Sequence, residues 1–390
     1  MKRPLRIFLS CQQANRPHAV PAYSFWADYF RGALAEAGHE VIEAPACEWA
    51  EGLLPTERPE HQEWLTRTWE QALSRIRREH SRRKIDLFLS YLFPAQVEPA
   101  AITAIRELGI PCVNFFCDNV REFRRIPNIY HCFDLHWVPE HKALPLYRAA
   151  GLIYICAPMA CWVPPKYRHP VNVESQPVTF VGTRDPTREK LFAEAIENGL
   201  EVVLKGPGWL TPANSPVSAP KPAANLATLW GRKKRFIQQH GWVAFFRQQS
   251  RRTRTGVYSD LHFKKHSGDP VYGDAYWQAL RNCSVCLGVN RYPSWRFPLD
   301  RPDTYSRLRD IEAPMAGACY LTEWTEGLDQ IYEIGTEIEV YRSAEELVDK
   351  TKCLTRDAPR RSKLRVAGQK RALSDHSIAN TLERICRQLS

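Results

Sequence analysis

Two charged residues on one predicted helix could together hold a nucleoside diphosphate. Arg309 and Glu312 lie three residues apart in the segment Arg307–Ala318, so they share one face of a helix. A diphosphate is bound by cationic, forked donors such as a guanidinium, and a ribose diol by a carboxylate that accepts two hydroxyl hydrogens. The same spacing also suits an intrahelical ion pair on a solvated face, so the spacing alone leaves both interpretations open.

The helix that carries this pair belongs to an alternation of strands and helices along the chain. The pattern predicts the helix over Thr304–Met315, between two apolar strands. The first 155 residues alternate in the same way, which is typical of parallel sheets covered on both faces. Prolines over Ala157–Pro177 predict a linker between two domains, residues 1–165 and 166–390. Two such doubly wound domains would place a ligand cleft between the carboxyl ends of their sheets.

Length, composition and motifs exclude several classes of protein. The chain has 390 residues, of which 44% are apolar and 25% charged, which excludes a collagen-like, coiled-coil or disordered protein. No G-x-G-x-x-G follows the first strand and no G-x-x-x-x-G-K-[ST] occurs, which argues against a dinucleotide-binding protein and a P-loop NTPase. No apolar run is long enough to span a bilayer, and Arg6 interrupts the apolar N-terminus, so a first strand is predicted there rather than a signal peptide.

The cysteines and histidines predict neither a disulfide framework nor a metal site. The twelve cysteines are scattered singly apart from Cys283 and Cys286, and they mostly lie in apolar runs where a thiol packs as a small hydrophobe. A zinc site of that spacing needs a second pair, which the sequence lacks. His131, His136 and His141 are too widely spaced for one element to present them together. A reducing, cytoplasmic location is therefore expected, peripheral at the inner membrane face if lipid is bound.

The positive charge is concentrated in one segment. The net charge is +11, and residues 230–265 contain ten lysines and arginines against one acid, Asp260, so this segment contributes +9. Aromatic residues such as Phe236 and Trp242 lie among the cations, with a moderate amphipathic pattern. The segment lies in a predicted helical insertion over about 211–265. It could bind an anionic membrane, bind a nucleic acid or phosphorylated acceptor, or form a solvated basic hairpin.

The C-terminal half is similar to the C-terminal domain of GT-B glycosyltransferases, and it resembles most closely the group of the spore maturation protein CgeB. The resemblance covers most of residues 178–390 apart from the insertion. The N-terminal half shares only its strand–helix rhythm and the word Phe115–Asn119 (FFCDN). In chain order, the matching words are Val178–Arg184 (VTFVGTR), Val203–Trp209 (VLKGPGW), Val271–Asp274 (VYGD), Arg309–Ala318 (RDIEAPMAGA) and Leu321–Leu328 (LTEWTEGL).

This resemblance implies an α/β, GT-B fold of two Rossmann-like doubly wound domains that face a central cleft. It implies a donor site in the C-terminal domain, where Gly182 and Arg184 correspond to the loop that approaches the donor phosphates. Lys205 corresponds to a second cation on the diphosphate, and Tyr272 and Gly273 to the edge of the base pocket. The family needs no metal for diphosphate binding, so no metal or cofactor is expected.

The helix identified first matches the family at both of its charged positions. The resemblance implies that Glu312 binds the ribose and that Arg309 binds a phosphate. One departure matters, because in the retaining Glu-x7-Glu subgroup a first acid precedes the second by eight residues. That position is Thr304 here, with Asp303 beside it. The retaining pattern is incomplete, and the stereochemistry of transfer stays open.

Two residues are candidates for the catalytic base that an inverting enzyme of this family would need. Asp118 ends the apolar stretch Ile110–Cys117, and His18 lies in the loop after the first strand, so both should lie at the cleft edge. Asp118 followed by Asn119 is also good turn chemistry, in which case the carboxylate would only cap a turn.

The function expected from the sequence is transfer of a sugar from a nucleotide-sugar donor to an unidentified acceptor, which could be anionic or lipid-linked. Three alternatives stay open. They are an enzyme of the same fold that modifies nucleic-acid bases, a non-catalytic sugar-nucleotide-binding protein, and a membrane-surface assembly protein. The basic segment favours the first of these and is compatible with the last.

Overall fold

The computed structural model describes residues 3–15, 23–54, 58–169, 174–209, 260–292 and 302–389, together with isolated positions between 233 and 258. By its contacts the chain divides into two compact units. Unit 1 comprises Met1–Pro164 and Leu373–Ser390, and unit 2 comprises Pro165–Ala372.

Unit 1 contains a parallel sheet of six strands in the order β2-β1-β3-β4-β5-β6 over its described residues. The strands are β1 (Arg6–Cys11), β2 (Glu40–Ile42), β3 (Leu87–Tyr91), β4 (Cys112–Phe115), β5 (Leu135–Val138) and β6 (Tyr154–Cys156). The helices are α1 (Tyr23–Glu36), α2 (Arg58–Arg82), α3 (Pro99–Glu107), α4 (Asn119–Glu122) and α5 (Leu144–Ala149), with 3-10 turns at Trp49–Leu53, Pro94–Gln96, Asn128–Cys132 and His141–Ala143. The chain's last helix, α13 (Ile378–Leu389), packs on α1.

Unit 2 contains a second parallel sheet of six described strands, in the order β12-β11-β10-β7-β8-β9. The strands are β7 (Thr179–Val181), β8 (Val203–Lys205), β9 (Ser267–Gly268), β10 (Cys286–Gly288), β11 (Tyr320–Glu323) and β12 (Glu339–Tyr341). The helices are α6 (Pro186–Glu197), α7 (Asp260–Phe263), α8 (Gly273–Arg281), α9 (Arg309–Met315), α10 (Leu328–Ile331), α11 (Ala344–Arg356) and α12 (Ala358–Asp375), with a 3-10 turn at Pro165–Tyr167. The last residues of α12 belong to unit 1.

The two sheets form because their strands are apolar on both faces. Every residue of β1, β3, β4 and β5 is buried, as parallel strands covered by helices on both sides must be. Helices end where glycine takes the left-handed conformation, with φ of +77° at Gly38 after α1 and +87° at Gly199 after α6. These local signals are why the sequence predicts two doubly wound α/β domains, which the structure confirms.

The short edge strands β6, β9 and β12 are not predicted by the sequence. Each has only two or three residues, which is too few to show a period. Most of the predicted insertion, including its amphipathic pattern, lies outside the described residues. Within the described part, the side chains of Trp242, Val243 and Phe246 are more than half exposed.

The helix predicted over Thr304–Met315 begins five residues later, at Arg309. Thr304 instead pairs with Arg291 in an isolated antiparallel bridge. The residues that lead into α9 are then held by a side chain: the Ser306 hydroxyl and the Arg307 N–H both donate to Asp310 Oδ2, at 2.9 and 3.0 Å. This capping replaces the helical hydrogen bonds that the pattern predicted, since aspartate competes with the backbone in this way.

The Asp310 carboxylate also joins α9 to the sheet. Its Oδ1 accepts hydrogen bonds from the Tyr320 hydroxyl at 2.8 Å and the Thr322 hydroxyl at 2.9 Å, both on β11. On the neighbouring strand β10, a side chain at Gly288 would place Cβ 2.1 Å from the Tyr320 oxygen and 2.3 Å from the Thr322 oxygen. Glycine is therefore required at this position for the hydroxyls to reach Asp310.

We expect Asp310→Asn to lower the free energy of unfolding by about 1–3 kcal/mol, because an amide NH₂ cannot accept at one of the two oxygen positions that take buried donors. Urea unfolding followed by circular dichroism measures this. Asp329→Asn is the matched control, since Asp329 also lies in the first turn of a helix in unit 2 but is exposed. Equal stability of the two variants would contradict the role assigned to Asp310.

Candidate functional site

The strand order of unit 2 marks the edge at which a ligand is expected. The chain starts at β7, adds β8 and β9 on one side, and then returns to add β10, β11 and β12 on the other. In open parallel sheets, ligands bind outside the carboxyl ends of the two strands where the order reverses. Those strands are β7 and β10, so Gly182, which follows β7, and Asn290, which follows β10, lie at this switch point.

Gly182 is tightly packed. A Cβ at this position would lie 2.8 Å from the Phe180 ring and 3.4 Å from Arg188 Nη1. Its N–H donates to Lys205 O at 2.8 Å, and its carbonyl accepts from Trp209 Nε1 at 2.7 Å. The structure thus places Gly182 at the predicted edge, beside the Arg188 guanidinium.

The Arg184 guanidinium is bound by other residues of unit 2, and the predicted approach of donor phosphates to the Gly182–Arg184 loop stays a prediction. The guanidinium forms ion pairs with Glu189 at 3.1 Å and Asp260 at 2.6 Å, and it lies 4.9 Å above the Phe263 ring. Its two terminal nitrogens also donate to carbonyl groups, and its side chain is only 12% exposed. Because these acids and carbonyls already take its donors, Arg184 joins α6 to α7 and does not face the switch point as a free cation.

Lys205 also points away from the predicted position. Its ammonium donates to Gln176 Oε1 at 3.3 Å. Gln176 precedes β7 and bridges to Cys283, which precedes β10, so the ammonium lies toward the amino end of these strands. The switch point lies at their carboxyl end. The family motif identifies Lys205 by its position in the sequence, but the direction of its long side chain depends on the tertiary structure.

Three other arginines converge at the switch point. Arg188 lies in the first turn of α6, Arg307 precedes α9, and Arg309 is the first residue of α9. Burial and the positive charges of Arg307 and Arg309 lower the pKa of Arg188 to about 10, against the opposing effect of Asp185. Like charges gathered around one buried guanidinium in this way are the arrangement that an anion relieves.

Hydrogen bonding within this arginine cluster (Arg188, Arg307, Arg309) is incomplete. Among the described residues, the buried Nε of Arg188 and the buried Nε and Nη1 of Arg309 have no hydrogen-bond partner. Arg188 Nε lies 3.2 Å from Asp185 Oδ2, but not in hydrogen-bond geometry. Buried guanidinium nitrogens without a partner are costly, and forked donors of this type match phosphate oxygens.

Arg309 and Glu312 do form an ion pair along α9, with Arg309 Nε 3.4 Å from Glu312 Oε2. The pair is not on a solvated face, because the side chains are only 20% and 4% exposed. Tyr276 on α8 contacts both residues: its hydroxyl donates to Glu312 Oε2 at 2.6 Å, and its ring lies 4.8 Å below the Arg309 guanidinium. The structure therefore builds the carboxylate and the cation into one buried group.

The aromatic residue that contacts both Arg309 and Glu312 is Tyr276, and the predicted place of Tyr272 and Gly273 at the edge of a base pocket stays a prediction. Tyr272 is 71% exposed and caps α8, while nothing lies within 4 Å of the position that a Cβ on Gly273 would take. Sequence reasoning also missed Arg188 and Arg307. Signals for all three existed, since Tyr276 is one helical turn beyond Tyr272, Arg307 lies in the segment that carries the predicted pair, and Arg188 follows the Gly182 loop.

At the position of the first acid of the retaining pattern, the structure places hydroxyl contacts. The Thr304 hydroxyl donates to Thr325 Oγ1 at 3.0 Å. The neighbouring Asp303 accepts from the Tyr292 hydroxyl at 2.9 Å. The position of the first acid therefore carries a hydroxyl group, and the neighbouring Asp303 carboxylate is bonded to Tyr292.

In unit 1, Asp118 lies at the carboxyl edge of the sheet, between β4 and α4. Its side chain is 24% exposed, and its Oδ1 lies 4.0 Å from Arg121 Nη1. His18, the other candidate base, lies outside the described residues. His136 is buried on β5 and bonded to Tyr130 O at 3.0 Å, and burial lowers its pKa to about 4, so it is a neutral structural histidine.

The described residues form neither a metal-binding cluster nor a membrane-spanning helix. No group of three or more His, Cys, Asp or Glu side chains could hold a metal ion in the part of the chain that the structure describes. No helix there is both long enough and apolar enough to cross a membrane.

Comparison with solved structures confirms the GT-B fold. The chain is similar to sucrose-phosphate synthase from Thermosynechococcus elongatus, with a TM-score of 0.55 and 14% identity over 99% of both chains. It is also similar to AviGT4, a glycosyltransferase of avilamycin A biosynthesis, with a TM-score of 0.52 and 14% identity over 99% of this chain and 97% of that one. Anabaena HepE in complex with UDP-glucose gives a TM-score of 0.52 and 11% identity over 99% of both chains.

At these identities the likeness shows the fold alone, and the comparison with curated proteins finds no match. The family model described as glycosyl transferase-like matches residues 188–387, which begin at Arg188 and include Arg307, Arg309 and Glu312. That match spans more than half of the 390 residues, and the chain therefore belongs to the glycosyl transferase-like family.

Proposed function

We propose that the protein is a glycosyltransferase of the CgeB-like group that takes its sugar from a nucleoside diphosphate sugar. The observation that supports this most strongly is the arginine cluster beside Glu312. Arg188, Arg307 and Arg309 would neutralise the diphosphate, and Glu312 would accept the two ribose hydroxyl hydrogens. The sugar then departs from the diphosphate with the leaving electrons held on phosphate oxygens, where the guanidinium groups stabilise the developing charge.

The proposed nucleotide is uridine diphosphate. Structures of Anabaena HepE, which has the same fold, are described as complexes with UDP, with UDP and glucose, and with UDP-glucose. Tyr276, whose ring already lies against Arg309, would form one wall of the nucleoside pocket. UDP and UDP-glucose are accordingly the probes of choice.

No metal and no cofactor take part in the proposed reaction. Three guanidinium groups supply the positive charge that a divalent cation supplies to the diphosphate in metal-dependent transferases. Their fork geometry also fixes the direction of the leaving group, because paired N–H donors match paired phosphate oxygens.

Asp118 is proposed as the catalytic base of an inverting transfer. Its partly exposed carboxylate would take the proton of the acceptor hydroxyl while the acceptor oxygen forms the new bond to the anomeric carbon. The bond from that carbon to the diphosphate breaks in the same step. The absence of the first acid of the retaining pattern, where Thr304 stands, agrees with this choice.

The basic segment is proposed to contact an anionic partner such as a lipid-linked acceptor at a membrane surface. The +9 charge over residues 230–265 and the exposed side chains of Trp242 and Phe246 support this. Basic segments with interfacial aromatic residues bind anionic lipid through electrostatic attraction and through burial of the aromatic side chains.

We expect Arg188→Ala to weaken UDP binding about 10-fold to 100-fold, since it removes one charge-assisted contact to the diphosphate. Titration calorimetry with UDP measures the effect. Arg356→Ala, which removes an exposed arginine at the end of α11, is the control and should bind like the wild type. If Arg188→Ala binds UDP with unchanged affinity while folded, the arginine cluster is not the diphosphate site.

Glu312→Ala should weaken UDP binding about 10-fold to 1,000-fold, because a carboxylate on a ribose diol makes two charge-assisted hydrogen bonds. Tyr276→Phe removes only the hydroxyl that orients Glu312, so its loss should be smaller, at about 3-fold to 10-fold. Deoxyuridine diphosphates lacking the ribose 2′-hydroxyl or 3′-hydroxyl should show little further loss in Glu312→Ala. Glu197→Ala, an exposed change at the end of α6, serves as control. Full UDP affinity in Glu312→Ala would refute the ribose assignment.

Asp118→Asn is expected to reduce turnover of UDP-glucose about 100-fold, the typical contribution of a general base, with UDP affinity unchanged. Turnover is read as UDP release, with water or an added sugar as acceptor. The exposed Asp28→Asn is the control in unit 1. Wild-type turnover in Asp118→Asn would move the base elsewhere, and His18 would be the next residue to replace.

A further inference from the structure

A second carboxyl group lies at the carboxyl edge of unit 1 and has no part in the function proposed so far. Glu140 follows β5, on the strand next to β4, which leads into Asp118. Its exposure is 0%. A glutamate this deeply buried is unusual, because the charged form loses its hydration.

The contacts of Glu140 are few and are directed at the turn that carries Asp118. Its Oε2 accepts a hydrogen bond from the Asn119 backbone N–H at 2.6 Å. Its Oε1 is buried and has no hydrogen-bond partner among the described residues. Glu140 also forms no ion pair with any residue that the structure describes. The carboxyl group therefore has a backbone contact but no counter-charge.

The turn itself is fixed at several points besides Glu140. The Asn119 side chain donates to Phe116 O at 2.8 Å and accepts from the Tyr147 hydroxyl at 2.8 Å. Asn119 and Tyr147 are both fully buried. Asp118, the preceding residue, is the part of this turn that reaches solvent. The hydrogen bonds that hold Asn119 therefore also determine the direction of the Asp118 carboxylate.

We propose that Glu140 is a positioning residue for Asp118. In its uncharged form, Glu140 holds the Asp118–Asn119 turn and leaves the single negative charge of the two carboxyl groups on Asp118. The inference rests on the proposed function, in which Asp118 is the base. A proton on Glu140 removes the cost of a buried, unpaired charge and the repulsion of a second carboxylate. Asp118 can then take a proton from an acceptor without competing with a neighbouring anion.

The groups that face Glu140 agree with this assignment. They are Asp118 on the turn after β4 and Tyr147 on α5, and Arg121 on α4 is paired with Asp118. His136 on β5 packs against Tyr147 and is neutral. Burial and then the Asp118 carboxylate raise the pKa of Glu140 well above its ordinary value, against the opposing hydrogen bonds from the Asn119–Val120 backbone.

The protonation of Glu140 can be tested without a known acceptor. The infrared difference spectrum between wild type and Glu140→Gln at pH 7 should contain the C=O stretch of a protonated carboxylic acid. The control difference, wild type against Glu122→Gln, should contain only carboxylate bands, since Glu122 on α4 is partly exposed and paired with Arg121. Carboxylate bands alone in the Glu140→Gln difference would show that Glu140 is ionised and would overturn the inference.

The positioning role is tested by hydrogen exchange and by turnover. The Asn119 amide should stay protected in Glu140→Gln, whose side-chain carbonyl can still accept, and should exchange at least about 10-fold faster in Glu140→Ala. With UDP-glucose, we expect Glu140→Ala to lose about 10-fold to 100-fold in kcat at unchanged KM, because the base is misplaced. Glu140→Gln should restore most of kcat and leave the acid limb of its pH profile where it is in the wild type.

Failure of this inference and failure of the proposed base give different results. If Asp118→Asn abolishes turnover while Glu140→Ala does not alter it, only the role of Glu140 is wrong. If Asp118→Asn turns over normally, the proposed base is wrong whatever Glu140 does. Should Glu140→Ala not fold, the infrared spectrum and the acid limb of Glu140→Gln decide the matter. An acid limb displaced to lower pH in that variant would mean that a negative charge had been removed beside Asp118.

Discussion

The geometry of the arginine cluster and Glu312 depends on one buried carboxylate, that of Asp310. It accepts hydrogen bonds from the turn before α9 and from two hydroxyls on β11, so it fixes both the start of the helix and its distance from the sheet. Arg309 is its neighbour in the chain, and Arg307 donates its own backbone N–H to it. Asp310 thus holds the turn that carries Arg307 and the helix start that carries Arg309, and the bridge of Thr304 to Arg291 keeps the preceding residues out of the helix.

The arginines of unit 2 differ in whether their guanidinium donors already have partners, more than in their position in the chain. Arg184 and Arg188 are four residues apart and both follow the Gly182 loop, yet only Arg184 has two acids at ion-pair distance with hydrogen-bond geometry. Arg188 faces two other arginines, and one of its buried nitrogens has no partner among the described residues. A cation whose donors are already taken stabilises the fold, whereas one held near like charges stores electrostatic energy that an anionic ligand releases. The glycosyltransferase therefore carries an arginine with bound donors and an arginine near like charges on the same loop and helix.

Unit 1 shows the same division between structural and reactive groups at its own sheet edge. Asn119, Tyr147 and Glu140 are fully buried and Asn119 is hydrogen-bonded to the other two, while Asp118 reaches solvent from the same turn. A rigid set of buried neighbours limits the rotation of an exposed carboxylate, as the base role proposed for Asp118 would require. The two units thus both present charged groups from turns held by buried hydrogen bonds.

Local patterns in the sequence were sufficient for the architecture. Apolar strands such as Arg6–Cys11 and Leu87–Tyr91, and glycines such as Gly38 and Gly199, encode strands and helix ends through the backbone period and φ alone. The family words identified the chain segments of the proposed donor site, and Arg309 and Glu312 lie together in the structure as their spacing of three requires. The edge strands β6, β9 and β12 and the late start of α9 were not predicted, because two or three residues show no clear period and because a side-chain carboxylate replaced backbone bonds.

Which side chains meet was decided only by tertiary structure. Arg184 is bound by Asp260, which lies 76 residues away, and the Lys205 ammonium by Gln176, which lies 29 residues earlier. Tyr276 reaches Glu312 across 36 residues, and Glu140 reaches Asn119 across 21. Periodicity describes neighbours along one helix or strand, whereas a long, flexible side chain takes the partner that packing brings within about 3 Å of it. The sequence by itself therefore determined which elements form and where the charged residues stand along them, and the folded chain determined which of those charges remain open to a ligand.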